Sequence, residues 1–175
     1  MRILFTPDGQ LSRYGIRLAR YFVILYTLIL VLMCFLPQQV YPQYKQFSTP
    51  GIIQIGRLYI LPIPFNTFIN SQQIASFSDF CLVLLQNITY IFLLYPLVLS
   101  LIFLFEKWQN LKAVIRYSFY ISLSIELTQL LLDLLIDAGR VFEVDDLWTN
   151  TLGGILAYCT YKLWIKWQRK NHLSK

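Results

Sequence analysis

The chain has 175 residues, of which 57% are hydrophobic and only 14% are charged, with a formal net charge of +6. Soluble domains use about 45–50% apolar and about 25% charged residues. Too few polar residues are present to cover a water-soluble globule, and the hydrophobicity excludes a disordered chain. The length predicts one domain over residues 1–175. The composition predicts an integral membrane protein.

Four apolar runs have the length of membrane-crossing helices. A helix needs about 20 mostly apolar residues to cross the hydrocarbon core of a bilayer. The predicted spans cover about residues 16–36, 80–105, 113–136 and 147–167. The sequence therefore predicts an all-α, polytopic membrane protein, built as a bundle of four transmembrane helices.

The longest non-spanning stretch lies between the first two spans. From Asn66 to Phe80, apolar side chains form a rough helical stripe. Such a pattern predicts an amphipathic helix that lies at the outer membrane interface. An ordinary loop packed over the bundle is an equal alternative, and the sequence leaves both open.

The basic residues predict the orientation of the spans. Of the 15 basic residues, all but Lys45, Arg57 and Arg140 precede the first span, lie between the second and third, or flank the end of the fourth. Because cytoplasmic loops are enriched in Lys and Arg, both termini are predicted to be cytoplasmic. Anionic lipid of the inner leaflet is the expected partner of these basic ends, and no nucleic acid is needed to explain the charge.

Polar residues interrupt the third span. Glu126 lies near its middle, Gln129 follows three residues later and Asp133 seven residues later. These offsets return to the same helix face. An acidic residue at the centre of a membrane helix costs about 2.5–3.5 kcal/mol on insertion scales. This face is therefore predicted to point towards protein or water.

The segment after the third span supplies partners for that face. Gly139 permits a tight turn, and Asp145 or Asp146 is a good N-cap for the fourth span. A short turn makes the third and fourth spans antiparallel neighbours. Small residues on the fourth span allow close helix packing, namely Gly153, Gly154 and Ala157. The predicted polar cluster contains Glu126, Gln129, Arg140, Asp145, Asp146 and Asn150.

The spacing of these polar residues resembles the signature of the VanZ-like family. The matching pattern is Glu126-x-x-Gln129, then Gly139-Arg140-x-Phe142, then Asp145-Asp146-x-x-x-Asn150-x-x-Gly153-Gly154. The resemblance is strongest over residues 126–157, and Pro64-Phe65 and Asn87 resemble two further landmarks. It implies a small protein of the bacterial plasma membrane that affects the response to teicoplanin-type glycopeptides. It implies no established catalytic mechanism.

Three interpretations of the polar cluster remain open. In the first, it is a packing network in which Glu126 and Arg140 form a buried pair. In the second, it is an outward-facing site where Arg140 holds a phosphate or carboxylate of a lipid-linked cell-wall precursor or of the glycopeptide itself. In the third, Glu126 acts as the base of a membrane enzyme.

Neither a metal nor a cofactor is expected. With one histidine in the chain, histidine-based metal sites lack ligands. Oxygen ligands for Mg²⁺ or Ca²⁺ are available from Asp137, Glu143, Asp145 and Asp146. Acidic residues at the start of a helix more often cap that helix than bind a metal ion, so a metal site is a less favoured interpretation. An enzyme is also less favoured than a packing network or a binding site. The stripe of small residues suits packing within the chain and dimerisation equally well, and the oligomeric state stays open.

Overall fold

The computed structural model describes residues 3–6, 8–40, 51–69 and 77–173. Its elements in chain order are α1 (Arg13–Phe35), β1 (Ile53–Ile55), β2 (Leu58–Leu61), α2 (Asn66–Ile69), α3 (Phe77–Leu104), α4 (Leu111–Ile136), β3 (Val141–Glu143) and α5 (Val144–Leu173). The prediction of a mainly helical chain is confirmed, because each apolar run lies within one long helix. α5 continues past its predicted end at residue 167 into the basic tail.

Two of the long helices have the properties of membrane spans. α1 and α4 are long and apolar enough to cross a membrane, whereas in α3 the apolar stretch is the shorter Ile88–Leu104. α1 exposes large apolar side chains along its length, among them Tyr21, Leu25, Leu28 and Leu32. A surface of this kind is unfavourable in water and suited to lipid. Both helices thus support an association with the membrane.

α4 carries its polar residues on the buried face and its apolar residues outside. The buried residues of α4 recur every three or four positions and are Val114, Ser118, Ser122, Glu126, Gln129 and Asp133. Leu127, Leu131 and Leu134 are each 53% exposed. This arrangement inverts that of a helix in a soluble protein and suits an outer surface in contact with lipid.

A small sheet corrects the all-α prediction. β1 and β2 form an antiparallel hairpin, and β3 pairs parallel with β2, with Leu61 opposite Glu143. Gly56 occupies the hairpin turn with φ of 63°, a conformation that favours glycine. The strands have only three or four residues, too few to show an alternating pattern in the sequence.

The predicted interfacial helix over residues 66–80 lies in part outside the described residues and stays a prediction. α2 covers only Asn66–Ile69, and α3 already begins at Phe77. Residues 70–76 lie outside the described residues. α2 is held against the bundle by a side chain of α5, as described below.

The N-terminal residues pack against the far end of α5. The Trp164 indole N–H donates to the Gly9 carbonyl at 2.9 Å. The Phe5 ring lies 4.7 Å from the Trp164 ring and 5.7 Å from the Phe103 ring, between centroids. Because Phe103 is near the end of α3, the start of α1 and the ends of α3 and α5 share one end of the bundle.

α5 packs closely against both α3 and α4 through its small residues. A Cβ atom at Gly153 would collide with the backbone carbonyl of Ile91 in α3, and one at Gly154 would collide with the Ser118 hydroxyl of α4. Ala157, one turn further on, is fully buried. These contacts set the register in which the polar side chains of α4 and α5 meet.

Candidate functional site

The seam between α4 and α5 brings polar residues together one helical turn at a time. Gly154 lies against Ser118. One turn towards the start of α5, the Asn150 amide donates to the Ser122 hydroxyl at 3.0 Å. One turn further, Asp146 and Glu126 are hydrogen-bonded through their side chains. The antiparallel register therefore places the first turn of α5 beside the middle of α4.

Three acidic side chains form a carboxyl cluster at this level, consisting of Glu126, Glu143 and Asp146. Glu126 Oε2 accepts a hydrogen bond from the Glu143 backbone N–H at 3.0 Å. The Glu143 side chain lies close enough to Asp146 for their charges to interact. A hydrogen bond between two carboxyl groups, as between Glu126 and Asp146, requires that one of them carries a proton. The cluster thus binds protons as well as hydrogen-bond donors.

Glu143 occupies the mouth of the cluster, at the end of β3. Its side chain is partly buried. Burial, and then the negative charges of Asp146 and Asp145, raise the pKa of Glu143 from 4.5 to about 8. Both causes disfavour the charged form. Glu143 therefore keeps its proton over a pH range in which an exposed glutamate has lost it.

This raised pKa makes the stability of the protein depend on pH. The folded protein binds the Glu143 proton more tightly than the unfolded chain does, so stability is highest at low pH and falls as pH rises from about 4.5 to about 8. We expect the apparent Tm in mild detergent to fall over this range and the slope to be smaller in Glu143→Gln. The control is Glu106→Gln, at an exposed position. An unchanged slope in Glu143→Gln would contradict the assignment.

Two acceptor atoms of the seam have no hydrogen-bond donor. Ser122 donates to the Asp146 carbonyl at 3.0 Å and accepts from the Asn150 amide. Within the described part of the chain, Asp146 Oδ1 and Asn150 Oδ1 are buried and have no partner. Buried polar atoms in proteins are nearly always hydrogen-bonded, so both oxygens are candidates for a donor from outside the described residues. The Ser118 hydroxyl, in the same seam, is also buried and has no partner among the described residues.

The Gln129 and Arg140 side chains donate hydrogen bonds to the end of α1 rather than to the carboxyl cluster. The Gln129 amide donates to the Cys34 carbonyl at 3.0 Å. The Arg140 guanidinium donates to the Leu36 carbonyl at 2.5 and 3.1 Å and to the Met33 carbonyl at 2.8 Å. The last carbonyls of a helix have no partner within the helix. These two side chains therefore cap α1 from the outside.

The capping role of Arg140 predicts the effect of a charge-conserving substitution. Lysine lacks the planar fork that binds two carbonyls at once, so Arg140→Lys is expected to lower stability by about 1–2 kcal/mol and to loosen the end of α1. With the exposed Cys81 and Cys159 replaced by serine, maleimide labelling of the buried Cys34 should become faster.

The matched control for that experiment is Arg116→Lys, since Arg116 is exposed and lies near the other end of α4. Its labelling rate should equal that of the parent protein. Slow labelling of Cys34 in Arg140→Lys would show that other contacts suffice to hold α1.

Asp145 holds α2 through its carboxylate. Its carboxylate accepts from the backbone N–H of Phe65 at 2.6 Å, from that of Asn66 at 3.1 Å and from the Trp148 indole at 2.8 Å. The Phe65 and Trp148 rings pack with centroids 4.9 Å apart. The Pro64-Phe65 segment and Asp145 thus form one structural unit.

Asp133 stabilises the turn between α4 and β3. It is fully buried, and its Oδ1 accepts from the Arg140 backbone N–H at 2.9 Å. Asp137 ends α4 in the left-handed conformation, with φ of 54°. The turn positions Arg140 for α1 and the following β3 for the cluster.

The structure therefore divides the predicted site into two groups. Glu126, Asp146 and Asn150 share the seam, while Gln129, Arg140 and Asp145 satisfy backbone groups of α1 and α2. Sequence reasoning placed Glu143 only among possible cation ligands. The Glu143 backbone N–H contacts Glu126 because β3 runs back along α4. In the sequence, the short turn after the third span was the only indication that Glu143 lies near Glu126.

Within the described residues, no group of three or more His, Cys, Asp or Glu side chains could hold a metal ion. Asp145 directs its carboxylate to N–H donors of the protein itself. Asp137 lies exposed at the end of α4. The oxygen atoms of the carboxyl cluster are therefore best suited to binding protons and hydrogen-bond donors.

Comparison with known proteins gives one match. A family model described as VanZ/LLP1 matches residues 22–165, a range that includes the carboxyl cluster and the caps of α1 and α2. No curated protein matches the chain at a significant level, and no solved structure does so either.

Proposed function

The chain belongs to the VanZ/LLP1 family, and from this premise we propose that it is a multi-pass protein of the bacterial plasma membrane that modulates the response to glycopeptide and lipoglycopeptide antibiotics of the teicoplanin type. It acts through the carboxyl cluster between α4 and α5. In this proposal all four long helices cross the membrane and the cluster faces outward.

The distribution of charge supports this orientation. The start of α1, the junction of α3 with α4 and the end of α5 share one end of the bundle. The basic residues at that end are Arg13, Arg17, Arg20, Lys107, Lys112, Arg116, Lys162, Lys166, Arg169 and Lys170. By the positive-inside rule this end is cytoplasmic. The carboxyl cluster, nearer the opposite ends of the helices, is then on the outer side.

The observation that carries the proposal is the carboxyl cluster itself. Its acidic groups are concentrated where three elements meet, and Glu143 remains partly accessible at the mouth. Acceptor groups of this kind bind N–H and O–H donors, which amines, sugars and peptides supply. A lipid-linked cell-wall precursor or the glycopeptide presents all three. Arg140 contributes as the cap of α1 rather than as a clamp for phosphate.

The test is the antibiotic response of cells that express Glu126→Gln. This near-isosteric change removes the charge and one acceptor. Charged hydrogen bonds contribute about 1.5–3 kcal/mol, so ligand affinity should fall about tenfold to a hundredfold. We expect the difference in teicoplanin susceptibility between expressing and non-expressing cells to disappear, with membrane abundance measured in parallel.

Glu106→Gln serves as the control for the same chemical change at the opposite end of the bundle. It should preserve the wild-type response. A Glu126→Gln protein that is present at normal abundance and retains the full response would overturn the proposal.

A membrane enzyme acting on a lipid-linked cell-wall precursor is the second candidate. The observation that favours it is the hydrogen bond between the Glu126 and Asp146 side chains. Paired carboxyl groups that share a proton are suited to general acid–base chemistry. Turnover of the precursor by purified protein, absent in Asp146→Asn, would select this candidate over binding alone.

A further inference from the structure

In the part of the chain that the structure describes, every charged neighbour that acts on Glu126, Glu143 and Asp146 through its charge is itself acidic. The Arg140 guanidinium donates to carbonyls at the end of α1. Negative charge in a low-dielectric seam is unfavourable unless a proton or a cation compensates it. A cation that reaches the cluster can therefore take the place of its protons.

A second, independent observation concerns hydrogen-bond donors. Asn150 is only 2% exposed, and its amide N–H₂ reaches across the seam to Ser122. The Oδ1 atom of the same planar amide lies in that seam and has no donor, and neither does Asp146 Oδ1 one turn away. Two buried acceptors of the seam, Asn150 Oδ1 and Asp146 Oδ1, thus have no donor among the described residues.

We propose that the carboxyl cluster, together with Asn150, is a binding site for a primary ammonium group. An ammonium group carries one positive charge and three N–H donors. It is therefore matched to the negative charge of the cluster and to the unpartnered acceptors at once. A phosphate would add negative charge, and a sugar hydroxyl would supply a donor without charge.

The inference rests on the proposed function, because it names the chemical group that the same site recognises. The ammonium group enters from the β3 side, where Glu143 is partly exposed, and approaches Asp146 and Glu126 behind it. Two sources offer this group: an aminolipid headgroup in the membrane, and a soluble amine. Both present the same chemistry to the cluster.

The experiment compares primary ammonium with trimethylammonium, which has the same charge and no N–H donor. In the lipid arm, native mass spectrometry measures retention of phosphatidylethanolamine against phosphatidylcholine by the purified full-length protein. In the soluble arm, the shift of the apparent Tm is measured with ethanolamine against choline. In at least one arm the wild type should bind the primary ammonium form about tenfold more tightly than the trimethylammonium form. Only the primary ammonium group can donate charged hydrogen bonds to the cluster.

Variants test whether the preference depends on the cluster. Glu143→Gln removes one carboxylate and leaves the backbone N–H that holds Glu126 in place, so it should fold and reduce the preference. The double variant Glu126→Gln/Asp146→Asn should abolish it, and Glu106→Gln should retain it. Equal binding of the two ammonium forms in both arms, or a preference unchanged in Glu143→Gln, would overturn the inference.

The outcomes also separate this inference from the proposed function. If Glu126→Gln abolishes the antibiotic response but the wild type shows no preference for primary ammonium, the proposed function stands and the inference fails. If the preference is present but the antibiotic response is unaffected by Glu126→Gln, the ammonium site stands and its link to antibiotics fails.

Discussion

Asp145→Ala is expected to lower the free energy of unfolding by about 3 kcal/mol or more and to release α2 from the bundle. The substitution removes the acceptor for three N–H groups, those of Phe65, Asn66 and the Trp148 indole. Each buried donor left unsatisfied costs about 1–3 kcal/mol. Phe65 also has φ of 56°, a strained conformation for a residue with a side chain. The carboxylate holds this strained turn in place.

Hydrogen exchange measured by mass spectrometry checks the expectation. Peptides that cover residues 58–69 should exchange faster in Asp145→Ala, while those from the centre of α3 should change little. Asp145→Asn keeps the volume and one acceptor oxygen, so its effect should be intermediate. Asp8→Ala, at an exposed position, is the control. Wild-type exchange over residues 58–69 in Asp145→Ala would contradict the capping role.

Gly153→Ala is expected to destabilise the helix bundle more than Gly154→Ala. At Gly153 the added methyl group meets the backbone carbonyl of Ile91, whereas at Gly154 it meets the Ser118 hydroxyl. The Ser118 hydroxyl can rotate away, which leaves a closer-than-usual contact of 2.9 Å with the Ser118 Cβ, but a helix carbonyl moves only with its helix. Overpacking costs typically about 1–3 kcal/mol, and we place Gly153→Ala at the upper end. Because α3 and α5 pack more extensively than any other pair of elements, the whole bundle is affected.

Apparent Tm values in mild detergent measure this difference. Cys159→Leu adds volume at an exposed position of α5 and should leave the Tm close to that of the wild type. Ser118→Ala removes the hydroxyl but keeps the Cβ, so it should relieve part of the effect of Gly154→Ala and leave that of Gly153→Ala unchanged. Equal losses in both glycine variants would indicate that the contact with the Ile91 carbonyl is not the cause.

The long helices could be predicted because each depends on local information. Apolar runs of the required length mark helices with little need for tertiary context. The small sheet could not be predicted in this way. β3 pairs with β2 across about 80 residues of chain, as in the pairing of Leu61 with Glu143, and a strand of three residues carries no periodic signal.

The candidate site shows the same division between local and distant information. The offsets of Glu126, Gln129 and Asp133 predicted one buried polar face on α4, and all three residues are buried. The hydrogen-bond partners of the polar residues could not be predicted in the same way. One of the three interpretations paired Arg140 with Glu126. The Arg140 guanidinium binds the Leu36 carbonyl, because the end of a distant helix needs donors that sequence proximity does not reveal.

The sequence by itself determined that the chain is apolar and helical, that it belongs with membrane proteins, and that its polar residues on α4 are buried, because hydrocarbon tolerates isolated polar groups poorly wherever the chain folds. Only the tertiary structure decided which polar residue meets which. The register of α4 and α5 brings Asp146 to Glu126, and the turn held by Asp133 directs Arg140 to α1. The physical reason is that burial can be inferred from composition and periodicity, whereas hydrogen-bond partners depend on distances between segments far apart in the chain.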